Sequence, residues 1–428
     1  MEKLIELREE IDEIDKKIVD LYERRMAICE QVGEYKIDDR RKIFDKQREK
    51  EKLLSVTEKV TDEFHKKGIS ELFEQLMSMS RKLQYQLLTK KGALGRLPFI
   101  GVDTLDVEGA RVVFQGTEGA YSQAAMEKYF GKNLNSYHVQ TFRDAMEAIE
   151  EGSADFAVLP IENSSAGVVN EVYDLLMEFE NYIVGEVFLP SVHTLAGLPG
   201  TKLSDIERVY SHPQALMQSA KFLNDHRDWQ QISVANTAVA AKKVLEDNET
   251  KKAAICSRYA AEYYGLEVLE EKINHNEQNA TRFIVVTNQK IFLKDATKIS
   301  ICFEAAHESG SLYRLLSHFI YNDLNMIKIE SRPVEGRNWE YCFFVDFEGK
   351  ITDAAVRNTL NGIREEASRL KILGGVSFRA SSEPEARVLV SCFFLQTLTS
   401  ISSPRPLEPI TIPAYTFSPG PIKRVPRS

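Results

Sequence analysis

The sequence predicts a multidomain chain: an all-α segment, then an α/β segment, then an α+β segment, ending in an irregular tail. Three observations predict it. Apolar residues recur at heptad spacing through residues 4–36, and no proline occurs before Pro98. From Arg111 short apolar strands alternate with helical stretches. Residues 298–374 then run strand, helix, strand, strand, helix, strand, which is the ferredoxin-like order.

Within the first segment, Leu4, Leu7, Ile11, Ile14, Ile18 and Leu21 form a heptad seam. Arg25 takes the next seam position before Ile28, Val32 and Tyr35 resume it. A helix over 4–36, roughly 50 Å long, cannot bury its own stripe and needs partner helices or a second chain. A guanidinium in the seam requires an anion, either an internal partner such as Asp15 or Glu23 or a carboxylate ligand. A second helix is expected over 41–66, with Asp45, Arg48 and Glu49 on one face, and a third over 69–90. The third stripe, Ile69, Leu72, Leu76, Leu83 and Leu87, is broken by Ser80 and joined by Gln84. Polar groups beside three apolar faces predict a polar pocket inside a helical bundle.

Residues 90–109 hold Gly92, Gly95, Gly101, Gly109 and Pro98 and lose the helical period, so 91–110 reads as a linker. The strands that follow are RVVF, DFAVLP, IVGEVFL, ERVY, AAIC and RFIVV, implying a mostly parallel sheet covered by helices. Ligands of such sheets bind beyond the strand ends. The loops there are GTEGAYS, PIENSSAG, TLAG, SHPQAL and NATRF, several opening a helix with backbone amides suited to an anion. In NATRF, Thr281 reads as a turn residue, a surface contact or a catalytic hydroxyl at a strand end. No GxGxxG follows a strand and no GxxxxGK[ST] occurs, so no nucleotide cofactor is indicated.

The net charge of −9 argues against nonspecific nucleic-acid binding. Five scattered cysteines without metal spacing fit a reducing compartment, and neither a signal peptide nor a membrane span is recognisable. A cytoplasmic protein without nucleotide cofactor or metal is the expectation.

LIELREEIDEID, ERRMAICEQVGEYK and FDKQRE resemble, in order and spacing, the all-helical chorismate mutase that opens bifunctional chorismate mutase–prephenate dehydratases. The resemblance implies a three-helix mutase domain over 1–90, an intertwined homodimer or higher homo-oligomer, and chorismate contacts at Arg8, Arg25, Lys36, Asp45, Arg48, Glu49, Ser80 and Gln84. The three arginines would bind carboxylates, Lys36 and Gln84 would donate to the ether oxygen, and Arg8 would reach into the partner chain's site. That rearrangement is pericyclic and needs only a held conformer and stabilised charge.

GTEGAYS, DFAVLPIENSSAGVV, HTLAG, SHPQALMQ and NATRF resemble the signatures of prephenate dehydratase across 111–288. The fold implied is two-lobed and periplasmic-binding-protein-like, with the second lobe at about 190–270 and prephenate in the cleft. Thr281 would lead catalysis by directing a proton to the departing hydroxyl. Asn163, Ser164, Ser211 and Gln218 would line the cleft, with Glu162 beside them. Arg282 is open between a structural pin and a carboxylate contact.

ESGSL and ESRP resemble the phenylalanine-binding segments of an ACT domain, here 298–374, implying an effector site at Gly310, Ser311, Leu312, Glu330, Ser331, Arg332 and Pro333. Serine replaces the usual alanine between Gly310 and Leu312. The tail, 375–428, holds eight of the fourteen prolines and reads as a frameshifted or fused end. Two rivals remain: a mutase fused to a prephenate dehydrogenase, which lacks its Gly-rich loop, and a non-catalytic sensor.

Overall fold

The computed structural model describes residues 2–376 apart from Leu94, Arg96, Glu277 and Asn338. Three helices come first: α1 (Glu2–Asp38), α2 (Lys46–Thr57) and α3 (Glu63–Lys90). The second is shorter than the expected 41–66, and the third starts earlier than 69. Both differences follow from caps. Asp45 accepts from the Arg48 amide and Asp62 from the His65 amide, so each aspartate ends a turn and opens a helix. Helix α3 packs on α1 where Gly33 sits against Gln84; a β-carbon at Gly33 would press on the Gln84 side chain. Beyond that contact the N-terminal half of α1 stands free, with Leu4, Ile11, Ile18 and Leu21 each at least half exposed.

The α/β segment comprises β1 (Ile100–Val102), β2 (Arg111–Gln115), α4 (Tyr121–Phe130), β3 (Asn135–Val139), α5 (Phe142–Glu150), β4 (Phe156–Asn163), β5 (Gly167–Val168), α6 (Asn170–Glu178) and β6 (Tyr182–Pro190). A second lobe follows, built from β7 (Thr194–Gly197), β8 (Arg208–Ser211), α7 (Pro213–Gln218), α8 (Ala220–Asn224), β9 (Gln230–Ser233), α9 (Thr237–Asp247), β10 (Lys252–Cys256), α10 (Arg258–Tyr263) and β11 (Glu267–Glu270). The chain then returns through β12 (Ala280–Thr287) and β13 (Ile291–Leu293).

The second lobe has its own sheet, ordered β11-β7-β10-β8-β9. The expectation of a mostly parallel sheet needs correcting. Strands β2, β3 and β4 are parallel, but β12 runs antiparallel to both β4 and β6, because it re-enters the first lobe from the second. The expected linker is also partly structured. Its strand β1 pairs with β13, and Leu97 and Phe99 pack against the core of the segment that follows.

That last segment is β14 (Lys298–Glu304), α11 (Ser311–Tyr321), β15 (Met326–Pro333), β16 (Tyr341–Glu348), α12 (Ala354–Glu366) and β17 (Arg369–Val376), in the expected order. Gly375 and Val376 complete β17, two residues into the stretch read as tail; 377–428 lie outside the described residues. One sheet face carries α11 and α12 over Ile299, Phe303, Phe319, Phe347 and Leu360. The other face, through Cys302, Cys342, Phe344 and Leu373, shares a core with Tyr173, Leu175 and Leu176 of α6. At Gly374 strand β17 meets Ile183 of β6, joining both sheets into ten strands. Any β-carbon at Gly374 would collide with the Ile183 carbonyl. No helix among the described residues is long and apolar enough to cross a membrane.

Candidate active sites

In the two-lobed segment, a cavity of about 320 Å³ opens between the lobes. Strand β12 brings Thr281 to its floor beside Asn163 at the end of β4, its register partner. Asn163 Nδ2 donates to Thr281 Oγ1 at 2.9 Å, and Ser191 Oγ lies 2.8 Å from the same oxygen. The Asn163 carbonyl is fixed in turn by the amides of Ser165 and Ala166 at 3.0 and 2.9 Å. Asn163 can only donate here, so the Thr281 proton is left for Ser191 or for a molecule in the cleft.

On the opposite wall, Gln218 Oε1 accepts from His193 Nε2 at 2.8 Å and from Asn279 Nδ2 at 3.3 Å. That acceptor places the single ring proton of neutral His193 on Nε2. Burial pushes the His193 pKa down, opposed by the Gln218 bond, so the ring is uncharged at neutral pH. Tyr121 donates to the Val192 carbonyl at 2.8 Å, and burial drives its own pKa upward. No Asp, Glu, Lys or Arg lines the cavity among the described residues. Positive potential comes instead from helix N-termini: α4 begins at Tyr121 and α9 follows its cap Asn236, both lining residues. Neutral donors and helix ends can hold an anion without supplying a strong base.

Several expected residues lie elsewhere. Ser211 is fully buried and donates to the Ile255 carbonyl at 2.6 Å, away from the cleft. Glu162 and Arg282 precede or follow cleft residues on their strands, so the pleat sends both to the opposite sheet face. There Arg282 pairs with Glu186 at 2.9 Å and Asp346 at 2.8 Å, a pin rather than a substrate contact. Ser164 staples the loop before β12, accepting from the Ala280 amide at 3.0 Å. Sequence reasoning missed Ser191, Tyr121 and His193 as site residues, although His193 opens the HTLAG motif.

Among the helices, Arg25 Nη1 donates to Ser80 Oγ at 2.5 Å and to the Leu76 carbonyl at 3.0 Å. Lys36 Nζ bonds the Ile43 carbonyl at 2.6 Å, leaving further protons available. Gln84 Nε2 donates one proton to the Cys29 carbonyl at 3.3 Å, and its buried Oε1 has no hydrogen-bond partner among the described residues. Glu49 is held by Arg81 at 2.5 Å, while Asp45 is occupied as a cap. Arg48 points outward near Glu51, its side chain 72% exposed. Arg8 is exposed seventeen residues before Arg25, hence ~25 Å along the helix.

The effector segments do not meet within one chain. Gly310, with φ 76°, turns into α11, where Ser311 donates to the Ala306 carbonyl at 2.6 Å and Leu312 packs on the core. A cavity of about 330 Å³ beside them is lined by His307, Trp339, Tyr341 and Phe343, and by none of residues 330–333. Glu330, Ser331, Arg332 and Pro333 lie on β15, and Arg332 pairs with Asp174 of α6 at 2.6 Å.

A chorismate mutase type II model matches residues 7–85, and a prephenate dehydratase model matches 112–291. A bifunctional chorismate mutase/prephenate dehydratase of Enterobacter agglomerans is 33% identical over 379 residues, 87% of this chain and 95% of that one. The chain belongs to the bifunctional chorismate mutase/prephenate dehydratase family. It is an enzyme of phenylalanine biosynthesis with both activities. Among solved structures, a prephenate dehydratase from Arthrobacter aurescens in complex with L-Phe is 29% identical, with TM-score 0.58 over 68% of this chain and 99% of its own. A protein described as a novel type of quorum quenching acylase is 30% identical, with TM-score 0.58 over 62% of this chain and 97% of its own.

Proposed function

We propose that the two reactions occupy two separate sites in residues 1–90 and 111–288. The carrying observation is the Thr281 hydroxyl, held by Asn163 and Ser191 in a cleft without charged side chains. Loss of carbon dioxide and a ring hydroxyl from prephenate is driven by aromatisation. The protein therefore has to deliver a proton to the leaving oxygen, hold the side-chain carboxylate, and let the ring carboxylate depart as carbon dioxide. Asn163 donates to Oγ1, and when Ser191 donates to it as well, the Thr281 O–H is free for the leaving group and Ser191 can refill it. Gln218 and Asn279 hold one wall of the cleft, and Ser164 supports the strand end.

In the helical segment Arg25, Ser80, Lys36, Gln84 and Glu49 surround the chorismate site, with Asp45 and Arg48 at its edge. Arg8 is too distant to join it within one chain, and the apolar seam of α1 is uncovered. A second chain laid along that seam would bury it and bring its own Arg8 to the site, making the enzyme a homodimer. Residues 298–376 act as an ACT module that senses phenylalanine. The likeness to a dehydratase solved with L-Phe supports this, as do the segments around Gly310–Leu312 and Glu330–Pro333. Since these segments lie apart in one chain, a second copy completes the effector site.

Incubation of wild type and Thr281→Ala with chorismate, quenched at neutral pH, tests the reading. Wild type should yield phenylpyruvate and the variant should accumulate prephenate at the wild-type rate. Phenylpyruvate formation by the variant at an undiminished rate refutes the role of Thr281.

A further inference from the structure

Behind the cleft, on the other face of the sheet, lies a group of buried charges with no part in the chemistry above. Arg282 follows Thr281, and its Nε donates to Glu186 at 2.9 Å while Nη2 lies 2.8 Å from Asp346. Glu162 is 3.9 Å from Nη1 and 2.7 Å from Lys328. Lys298 bonds Glu186, and Ser300 donates to the second oxygen of Asp346 at 2.6 Å. Three cations thus balance three anions, and the most exposed of the six side chains, Glu162, is only 18% exposed. Arg282, Glu186 and Glu162 stand on β12, β6 and β4; Lys298, Lys328 and Asp346 stand on β14, β15 and β16. The cluster therefore rivets the dehydratase strands to the C-terminal module.

Stability alone does not account for it. Well-packed apolar side chains of similar volume are often as stabilising as a buried ion network, or more so. Burial would raise the Asp346 carboxyl, but Arg282 and Lys298 outweigh it and hold it well below the carboxylate range. Asp346 is therefore ionised at neutral pH and grips Arg282 firmly.

Strand pairing adds a second observation. Thr281 faces Asn163 and Arg282 faces Glu162, but Phe283 faces Pro160, so β4 carries one extra residue, Ile161, opposite the Arg282–Phe283 step. The bulge disrupts the pairing of β12 with β4 beside Arg282, so on that side the ladder holds Thr281 less firmly, while β12 keeps its register with β6 from Ala280 to Val285. Alternation places Thr281 in the cleft and Arg282 in the cluster, so a grip on Arg282 orients its neighbour. We propose that Arg282 and Asp346 are positioning residues of the dehydratase reaction: Asp346 holds Arg282 so that Thr281 Oγ1 is aimed at the departing hydroxyl. The inference rests on the role of Thr281 given above. It makes the module a structural part of the dehydratase site, so a ligand that shifts β16 changes turnover more than prephenate binding.

The test uses full-length Asp346→Asn, Asp346→Glu, Ser300→Ala and Thr281→Ala. Dehydratase kcat and KM for prephenate are measured, with the mutase rate of each preparation as a folding control. Asp346→Asn should lose roughly 10²-fold in kcat, the effect of a ~1 Å misplacement, with KM changed by less than about threefold. Asp346→Glu, which keeps the charge, should recover about tenfold of that loss. A merely structural role would lower the melting temperature and leave kcat per folded molecule, and the kcat-to-KM split, unmoved. If Asp346→Asn does not fold, Ser300→Ala carries the test, with kcat expected to fall about fivefold as the aim of Asp346 loosens. Wild-type kcat in Asp346→Asn, or in Ser300→Ala where only that variant folds, overturns the proposal while Thr281→Ala remains inactive. Wild-type kcat in Thr281→Ala removes the role of Thr281 and the proposal with it.

Discussion

Substituting Glu366→Gln in helix α12 should weaken the mutase segment, although Glu366 is 285 residues from its contact in α3. Arg81 Nε donates to Glu366 at 3.0 Å, and the two side chains are 5% and 6% exposed. Through Nη1, Arg81 also holds Glu49, a proposed chorismate-site residue, at 2.5 Å. Breaking a buried pair by removing one charge costs ~3–5 kcal/mol. The glutamine oxygen can still accept from Nε, and Glu49 still neutralises Arg81, so about 2 kcal/mol is the expected loss. Burial would raise the Glu366 carboxyl, but the His318 hydrogen bond and the Arg81 charge hold it below the ordinary glutamate range. A depressed folded pKa stabilises fully above the unfolded value of ~4.3 and loses that contribution as pH falls through the folded value. Thermal inactivation of the mutase should therefore separate wild type from the variant at pH 7 and bring them together in acid. Identical inactivation at pH 7, with unchanged mutase KM, would refute the contact between α3 and α12 and the energy assigned to it.

Other outcomes follow from single features. Ser191→Ala should lower dehydratase kcat about tenfold or more, and leave the mutase rate unchanged, because Thr281 Oγ1 loses the hydroxyl partner 2.8 Å away. Gly374→Ala should reduce soluble yield and melting temperature sharply, since φ 151° and the Ile183 carbonyl leave no room for a side chain. Mixing inactive Arg8→Ala with inactive Arg25→Ala should restore about a quarter of mutase activity, if exchanged dimers pair one intact site in two. No restoration after subunit exchange would leave Arg8 outside the site.

Much of the site was legible where chemistry and chain order coincide. NATRF and ENSS are adjacent strand ends, and Thr281 meets Asn163 as their order predicts. The errors came from strand parity. Thr281 with Arg282, and Asn163 with Glu162, are sequence neighbours and so cannot share a sheet face; period two alone would have removed Glu162 and Arg282 from the cleft. Ser211 failed for a different reason, since it ends β8 with its hydroxyl turned to the buried Ile255 carbonyl. The α3–α12 contact was unreadable. Arg81, Lys82 and Tyr85 look like the polar side of an amphipathic helix, yet Glu366, Ser317 and Glu365 meet them from the far end of the chain.

The seam between β17 and β6 bears on how this chain can be cut. Modular genes invite the idea that a terminal module can be deleted to give a simpler, unregulated catalyst. Here, ending the chain before Lys298 would strip the cover from Tyr173 and Leu176 and turn the Ile183 edge of β6 into an open strand. An uncovered apolar strand edge recruits other strands, so the shortened enzyme should aggregate. Point changes within 298–376, which keep the seam, are the way to separate the proposed phenylalanine response from turnover.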